Sequence, residues 1–181
     1  MAINWLTHTF DADAGSMGDD GATDWTHPEY AWDSNDSNLA TVTFSKMGIS
    51  EFLIPTSSVS TSAYSSYTIA RVWIGVKWKC SSTDDNCILG TIISGTIGTD
   101  DIGGVTAYSV DIANTEQTDW FEVTGFIEEW TWARVEDFLN NSVALVAVNY
   151  TAEDVDFAVN QIYIKVEYTE DSVERTIHTV S

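Results

Sequence analysis

Six consecutive residues, Asp33-Ser34-Asn35-Asp36-Ser37-Asn38, form the chain's most concentrated set of side-chain oxygens. A hard cation such as calcium takes about six to eight oxygen ligands. Asp33, Asn35, Asp36 and Asn38 are the candidate calcium ligands, and Asp24 and Glu29 are close enough in sequence to add to them. The run is not an EF-hand, because no glycine stands at its sixth position and no closing glutamate at its twelfth. The competing reading is an Asx-rich turn whose side chains bond their own backbone.

Other reactive groups are few. Cys80 and Cys87 bracket the polar loop Ser81 to Asn86. If strands flank that loop, the two can face each other across a hairpin and form a disulfide. Two free thiols are the alternative, and the sequence does not choose between them. Two cysteines without a histidine pair do not make a zinc site. His8, His27 and His178 lie in no hydrolase or zinc-protease motif, and Gly15-Ser16-Met17-Gly18 lacks the Lys-Ser/Thr ending of a phosphate cradle. The carboxylate pairs Asp84-Asp85, Asp100-Asp101 and Glu128-Glu129 invite comparison with a glycosidase, which needs two facing carboxylates. With 28 acidic residues such pairs arise by chance and read as solvated surface. The chain is expected not to be an enzyme.

The aromatic residues offer binding chemistry instead. Trp73, Trp120, Trp130, Trp132 and Tyr163 are candidates for a platform that stacks on sugar rings or anchors a protein partner. Trp5 and Phe10 join them as candidate interface residues near the N-terminus. Filling a core is the plainer use for tryptophans at this density.

The element that must position these groups is Tyr67 to Cys80, the clearest period-2 stretch in the chain. Alternation puts Ala70, Val72, Ile74, Val76, Trp78 and Cys80 on a core face, and Arg71, Trp73, Lys77 and Lys79 outside. Those outer basic residues predict cross-strand pairing with Asp or Glu. Further strands are predicted at 4–10, 39–44, 51–55, 87–98, 105–112, 120–126, 143–150 and 155–168. Asp100 to Gly104 reads as a turn, and Thr151 to Asp154 has the length of a hairpin loop. One helix is predicted over 131–140 from the spacing of Trp132, Val135, Phe138 and Leu139. The pattern is all-β: a two-sheet antiparallel jelly-roll sandwich with one short helix and long acidic loops. It forms a single domain over 1–168, with a long loop at 11–38, followed by a polar tail or extra strand at 169–181. Three sequons, at Asn35, Asn140 and Asn149, matter only where a glycosylation machinery is met.

Charge narrows the partners. Seven basic residues against 28 acidic give a net charge of −21, a surface that repels phosphate backbones and argues against nucleic acid. So acidic a folded domain fits a saline, halophilic source, where salt screens self-repulsion. No stretch of eighteen apolar residues marks a membrane span. Met1 to Trp5 shows neither the basic nor the apolar segment of a signal peptide.

His27-Pro28-Glu29-Tyr30-Ala31-Trp32-Asp33 through Thr41, the central strand, and Glu129-Trp130-Thr131-Trp132 followed by a helix and Val143 to Val148 occur in an order that resembles jelly-roll domains. Such domains occur in tailed-virus structural proteins and in carbohydrate-binding modules, and the similarity runs from Thr26 to Tyr168. The resemblance implies a non-enzymatic virion component, for example a capsid decoration, turret or tail protein. It would assemble as a trimer or pentamer on the major capsid protein, in particles formed in the host cytoplasm. The alternative it implies is a carbohydrate-binding module or receptor-recognition domain. If the Asp33–Asn38 run holds calcium, added calcium raises the melting temperature and chelator lowers it; a melting temperature indifferent to both removes the site.

Overall fold

The computed structural model describes residues 3–9, 12–15, 24–31, 37–50, 52–55, 60–82, 86–97, 100–108, 115–141 and 143–170. Eleven strands are formed within them: β1 (Ile3–Thr9), β2 (Ala12–Gly15), β3 (Ala40–Phe44), β4 (Gly48–Ile49), β5 (Phe52–Pro55), β6 (Tyr67–Cys80), β7 (Cys87–Ile97), β8 (Asp100–Tyr108), β9 (Gln117–Glu122), β10 (Val143–Asn149) and β11 (Val155–Glu170). One α-helix, α1 (Trp132–Asn141), precedes β10.

All pairings are antiparallel and they build two sheets. The first has the order β1-β11-β6-β9, with β3 also on β11; the second has the order β2-β5-β10-β7-β8, with β4 also on β10. The expected sandwich is present. In the first sheet two short strands divide one edge of β11: β3 pairs along 155–159 and β1 along 163–169.

The core lies between the sheets. Val72, Ile74, Val76 and Trp78 of β6 meet Phe157, Val159, Ile162, Ile164 and Val166 of β11 on one side, with Leu89 and Leu145 opposite. Trp132, Val135 and Phe138 of α1 are buried in the same cluster, which accounts for their helical spacing. Thr131 precedes the helix, and its Oγ1 accepts the Arg134 backbone N–H at 3.2 Å. The indole of Trp78 is 1% exposed, and its Nε1–H donates to Asp119 Oδ2 at 2.6 Å, so a buried donor meets a charged acceptor.

Two β-bulges decide which residues reach the surface. Val159 pairs with Trp78 and Gln161 with Lys77, so Asn160 is an extra residue on β11. From there on the alternation is reset, and Gln161, Tyr163 and Lys165 turn outward, with Glu167 on the same face but buried, while Ile162, Ile164 and Val166 turn in. Asn160 is fully buried, and its Nδ2 donates to the Asn38 carbonyl at 3.2 Å. The second bulge leaves Ala70 extra on β6, since Arg71 pairs with Glu167 and Ile69 with Tyr168. Ala70 is therefore exposed instead of core-facing, and Ile69 packs against the core in its place.

Other expectations change as well. Asp100 to Gly104 is not a turn but the first part of β8. Within the stretch read as one loop at 11–38, residues 12–15 form β2 and 28–31 a 3-10 turn. The link after β10 does not close a hairpin, because β10 and β11 belong to different sheets. It is a crossover, organised by Asn149. That side chain is fully buried, its Oδ1 accepts from Thr151 N–H at 2.8 Å and Thr151 Oγ1 at 2.7 Å, and its Nδ2 donates to the Glu153 and Lys46 carbonyls at 3.1 and 3.3 Å. The first two residues of the expected tail extend β11 to Glu170, and residues 171–181 lie outside the described part.

Asn149→Ala strips partners from several buried groups at once and is expected to lower the unfolding free energy by about 2–3 kcal/mol, measured by urea denaturation. For the same reason this sequon stays unmodified when the protein is made in a glycosylating host, as peptide mass spectrometry will show.

Candidate functional site

On the outer face of the first sheet, three strands bring together side chains far apart in sequence. In register across β9, β6 and β11, Trp120 stands opposite Gly75 and Gly75 opposite Tyr163; one step along, Glu122, Trp73 and Lys165 form the adjacent row. Trp120 does not stand up from its strand. Its ring lies over Gly75, where a Cβ on that residue would come within 2.6–2.8 Å of three ring atoms. The glycine thus leaves the space that lets an indole cross the sheet. The ring reaches Tyr163, stacked with centroids 5.8 Å apart at 29°. Tyr163 in turn donates its hydroxyl hydrogen to Gln161 Oε1.

Lys165 completes the group. Its Nζ lies 5.4 Å from the Trp73 ring centroid and 5.0 Å from that of Trp120, within cation–π range of both. The result is an aromatic surface of Trp73, Trp120 and Tyr163 with an ammonium set among the rings. Trp120 is 41% exposed, which is high for a tryptophan held in a sheet.

Charge pairs flank this group, one across strands as expected and one to the segment just before β9. Arg71 Nε lies 3.8 Å from Glu167 Oε2, and Lys77 Nζ lies 3.0 Å from Glu116 Oε1.

Of the sequence candidates, Trp73, Trp120 and Tyr163 come together, and Trp130 and Trp132 do not. Trp130 packs edge-on against Phe138 and donates its Nε1–H to the Thr124 carbonyl at 3.0 Å. Trp132 is 5% exposed, stacks on Tyr64 and donates to the Tyr67 carbonyl at 2.8 Å. Both serve the core around α1, as helical spacing already implied for Trp132. Trp5 lies in β1, opposite Glu167 in register; its side chain, and Phe10 as a whole, lie outside the described residues. Lys165 and Gly75 were missed by reading the sequence. The signal for Gly75 was a glycine in the middle of the best strand. The signal for Lys165 was hidden by the bulge at Asn160.

The candidate calcium ligands Asp33, Asn35 and Asp36 also lie outside the described residues. Asn38 is half-buried, and its carbonyl is the acceptor for Asn160. Glu29 is exposed and takes His27 Nδ1 at 3.0 Å; a backbone hydrogen bond, then His27, hold its pKa below the usual value. Among the described residues no three His, Cys, Asp or Glu side chains gather to hold a metal ion.

No protein-family model matches the chain, and no curated protein matches it. Several solved structures resemble it. A family 29 carbohydrate-binding module from Piromyces equi is 12% identical with a TM-score of 0.43, covering 91% of each chain. The family 11 carbohydrate-binding module of the cellulosomal cellulase Lic26A-Cel5E of Clostridium thermocellum is 12% identical with a TM-score of 0.41, over 89% of this chain and 86% of that one. The glycoside hydrolase domain of Endo-D from Streptococcus pneumoniae R6 is 11% identical with a TM-score of 0.43, over 88% of this chain, which spans 21% of the hydrolase's length. Likeness this distant assigns no role to any residue here.

The cysteines are free and buried. They do not face each other across a hairpin, because Cys80 ends β6 in one sheet and Cys87 begins β7 in the other. Cys87 Sγ donates to Asn149 Oδ1 at 3.8 Å. Burial first, with smaller contributions from Cys87 and Asp156, pushes the Cys80 thiol up to about 11. A raised thiol pKa favours the native state in its neutral form, so this contribution is complete below the ordinary thiol value and is lost as pH climbs from there through about 11.

Two outcomes follow. Ellman's reagent at pH 8 reacts slowly with the native protein and finds two thiols after denaturation without reductant; finding none would restore the disulfide. Gly75→Ala drives the Trp120 ring off the sheet, and acrylamide quenching of tryptophan fluorescence increases; unchanged quenching would mean that the ring does not occupy this space.

Proposed function

We propose that the chain is a non-catalytic glycan-binding module and that the face formed by Trp73, Trp120 and Tyr163 is its binding surface. One observation carries this reading: the Trp120 ring lies over Gly75 beside Tyr163 and is still 41% exposed, so that a large, partly exposed ring is held on a rigid sheet. A pyranose ring has an apolar face of similar size, and stacking it on indole removes both from water while its hydroxyls keep their own partners at the edge. Strands hold such a surface more accurately than loops do, which keeps the ordering cost of binding low. Gln161, Glu122 and Lys77 border the rings and supply polar groups to fix the sugar's orientation.

A second reading, assembly into a homo-oligomer, has a separate observation in its favour. Met47, Ile49 and Tyr150 are 61%, 40% and 52% exposed, and Met47 and Tyr150 flank the paired residues Gly48 and Asn149. Three large apolar side chains therefore gather at one corner of the second sheet. The virion role implied by the resemblance gains no support from the described residues.

Trp120→Ala is expected to weaken glycan binding at least about tenfold in affinity electrophoresis against a panel of soluble polysaccharides, since a lost stacking contact is worth about 0.5–1.5 kcal/mol beyond its buried area. Arg134→Ala, in α1, which packs on β5, β7 and β10 of the other sheet, leaves binding unchanged. If the wild-type protein is retarded by no polysaccharide in the panel, the glycan reading fails.

A further inference from the structure

We infer that the glycan taken by this face is acidic, a polysaccharide whose sugar rings carry carboxylates. The inference rests on the glycan-binding reading and names its ligand class. Across the chain acids outnumber bases 28 to 7. The outer face of β6 and β11 departs from that ratio. Arg71, Lys77 and Lys79 on β6 and Lys165 on β11 are four of the seven basic residues. Four of the 28 acids are described on or beside this face: Glu167, paired with Arg71, and Asp156 on β11, Glu122 on β9, and Glu116, which reaches Lys77 from the segment before β9.

A polyanion approaching a chain of net charge −21 is repelled at long range. This face is where charges balance, and it is also where the stacking surface lies. That coincidence points to a ligand that needs both.

The position of Lys165 supplies the local chemistry. Its ammonium lies among the rings, 5.0 and 5.4 Å from the two indole centroids. A sugar stacked on either ring brings its substituents to this ammonium. A neutral hydroxyl would gain an ordinary hydrogen bond there. A carboxylate gains a charge-assisted one, roughly twice as strong. Lys79, further along β6, lines a cavity of about 270 Å³ with Ser81, Asp156 and Ala158, and offers a second positive group on the same face.

The test uses the whole chain and acidic polysaccharides with their uncharged derivatives, beside neutral polymers. Affinity electrophoresis is run against polygalacturonate and alginate, against their methyl-esterified or carboxyl-reduced forms, and against neutral glucan, xylan and galactan. The expected result is retardation by at least one acidic polymer, lost by tenfold or more on esterification and again in about 1 M salt, where charges are screened beyond about 3 Å. Lys165→Met, which keeps the stem and removes the charge, is expected to erase the preference for the acidic form. Equal or stronger binding to the esterified or neutral polymers overturns the acidic inference and leaves the stacking surface in place. Binding to none of the polymers overturns both.

Discussion

The pairing of β6 with β11 is the constraint on which the rest depends. These are the two longest strands, their ladder runs from Cys80 opposite Phe157 to Tyr67 opposite Glu170, and each contributes one face to the core and one to the proposed binding surface. Because side chains alternate with a period of two, a one-residue change in register would exchange those faces. The bulge at Asn160 is such a change, fixed in place by burial and by a bond to the Asn38 carbonyl. Without it, Ile162 and Ile164 would face water and Tyr163 and Lys165 the core. The binding face and the core are thus consequences of the same extra residue.

Seen this way, the polar groups inside the protein have structural work that keeps the sandwich aligned. Asp119 on β9 receives the Trp78 indole N–H, tying an edge strand to the core of β6. Glu136 of α1 accepts the Thr61 backbone N–H at 2.8 Å, while Thr61 Oγ1 donates to the Trp132 carbonyl, joining the helix to the segment before β6. Asn149 holds the crossover that delivers the chain from one sheet to the start of β11. In each case a buried polar group has a partner, as burial requires. The net charge of −21 is left to the surface, where it favours solubility, and the outer face of β6 and β11 is the exception that gives the surface a direction.

Much of this was legible in the sequence, and the failures share a cause. The bounds of β6 were readable because its alternation is long, and α1 because Trp132, Val135 and Phe138 repeat at helical spacing. Period-based reasoning assumes an unbroken register, so it placed Ala70 in the core and gave no reason to group Lys165 with Trp73 and Trp120. Local spacing also cannot tell a hairpin from a crossover: the links at Ser81–Asn86 and Tyr150–Asp154 are short enough for hairpins, yet both pass between sheets. Hence the two candidate disulfide partners end and begin strands of different sheets, with their thiols still near enough to interact. Tryptophan content announced an aromatic site without locating it. Trp130 and Trp132 were drawn into the core by α1, and Trp120 was freed for the surface by the missing side chain at Gly75.

The measurement that tests this account most directly is an NMR titration of the tryptophan indole N–H signals with an oligosaccharide that the protein binds. The chain's eight tryptophans give a small, assignable set of signals. The account predicts that the Trp73 and Trp120 signals move with a common affinity while those of Trp25, Trp78, Trp130 and Trp132 stay still. Shifts confined to the buried group, or to neither Trp73 nor Trp120, would contradict it.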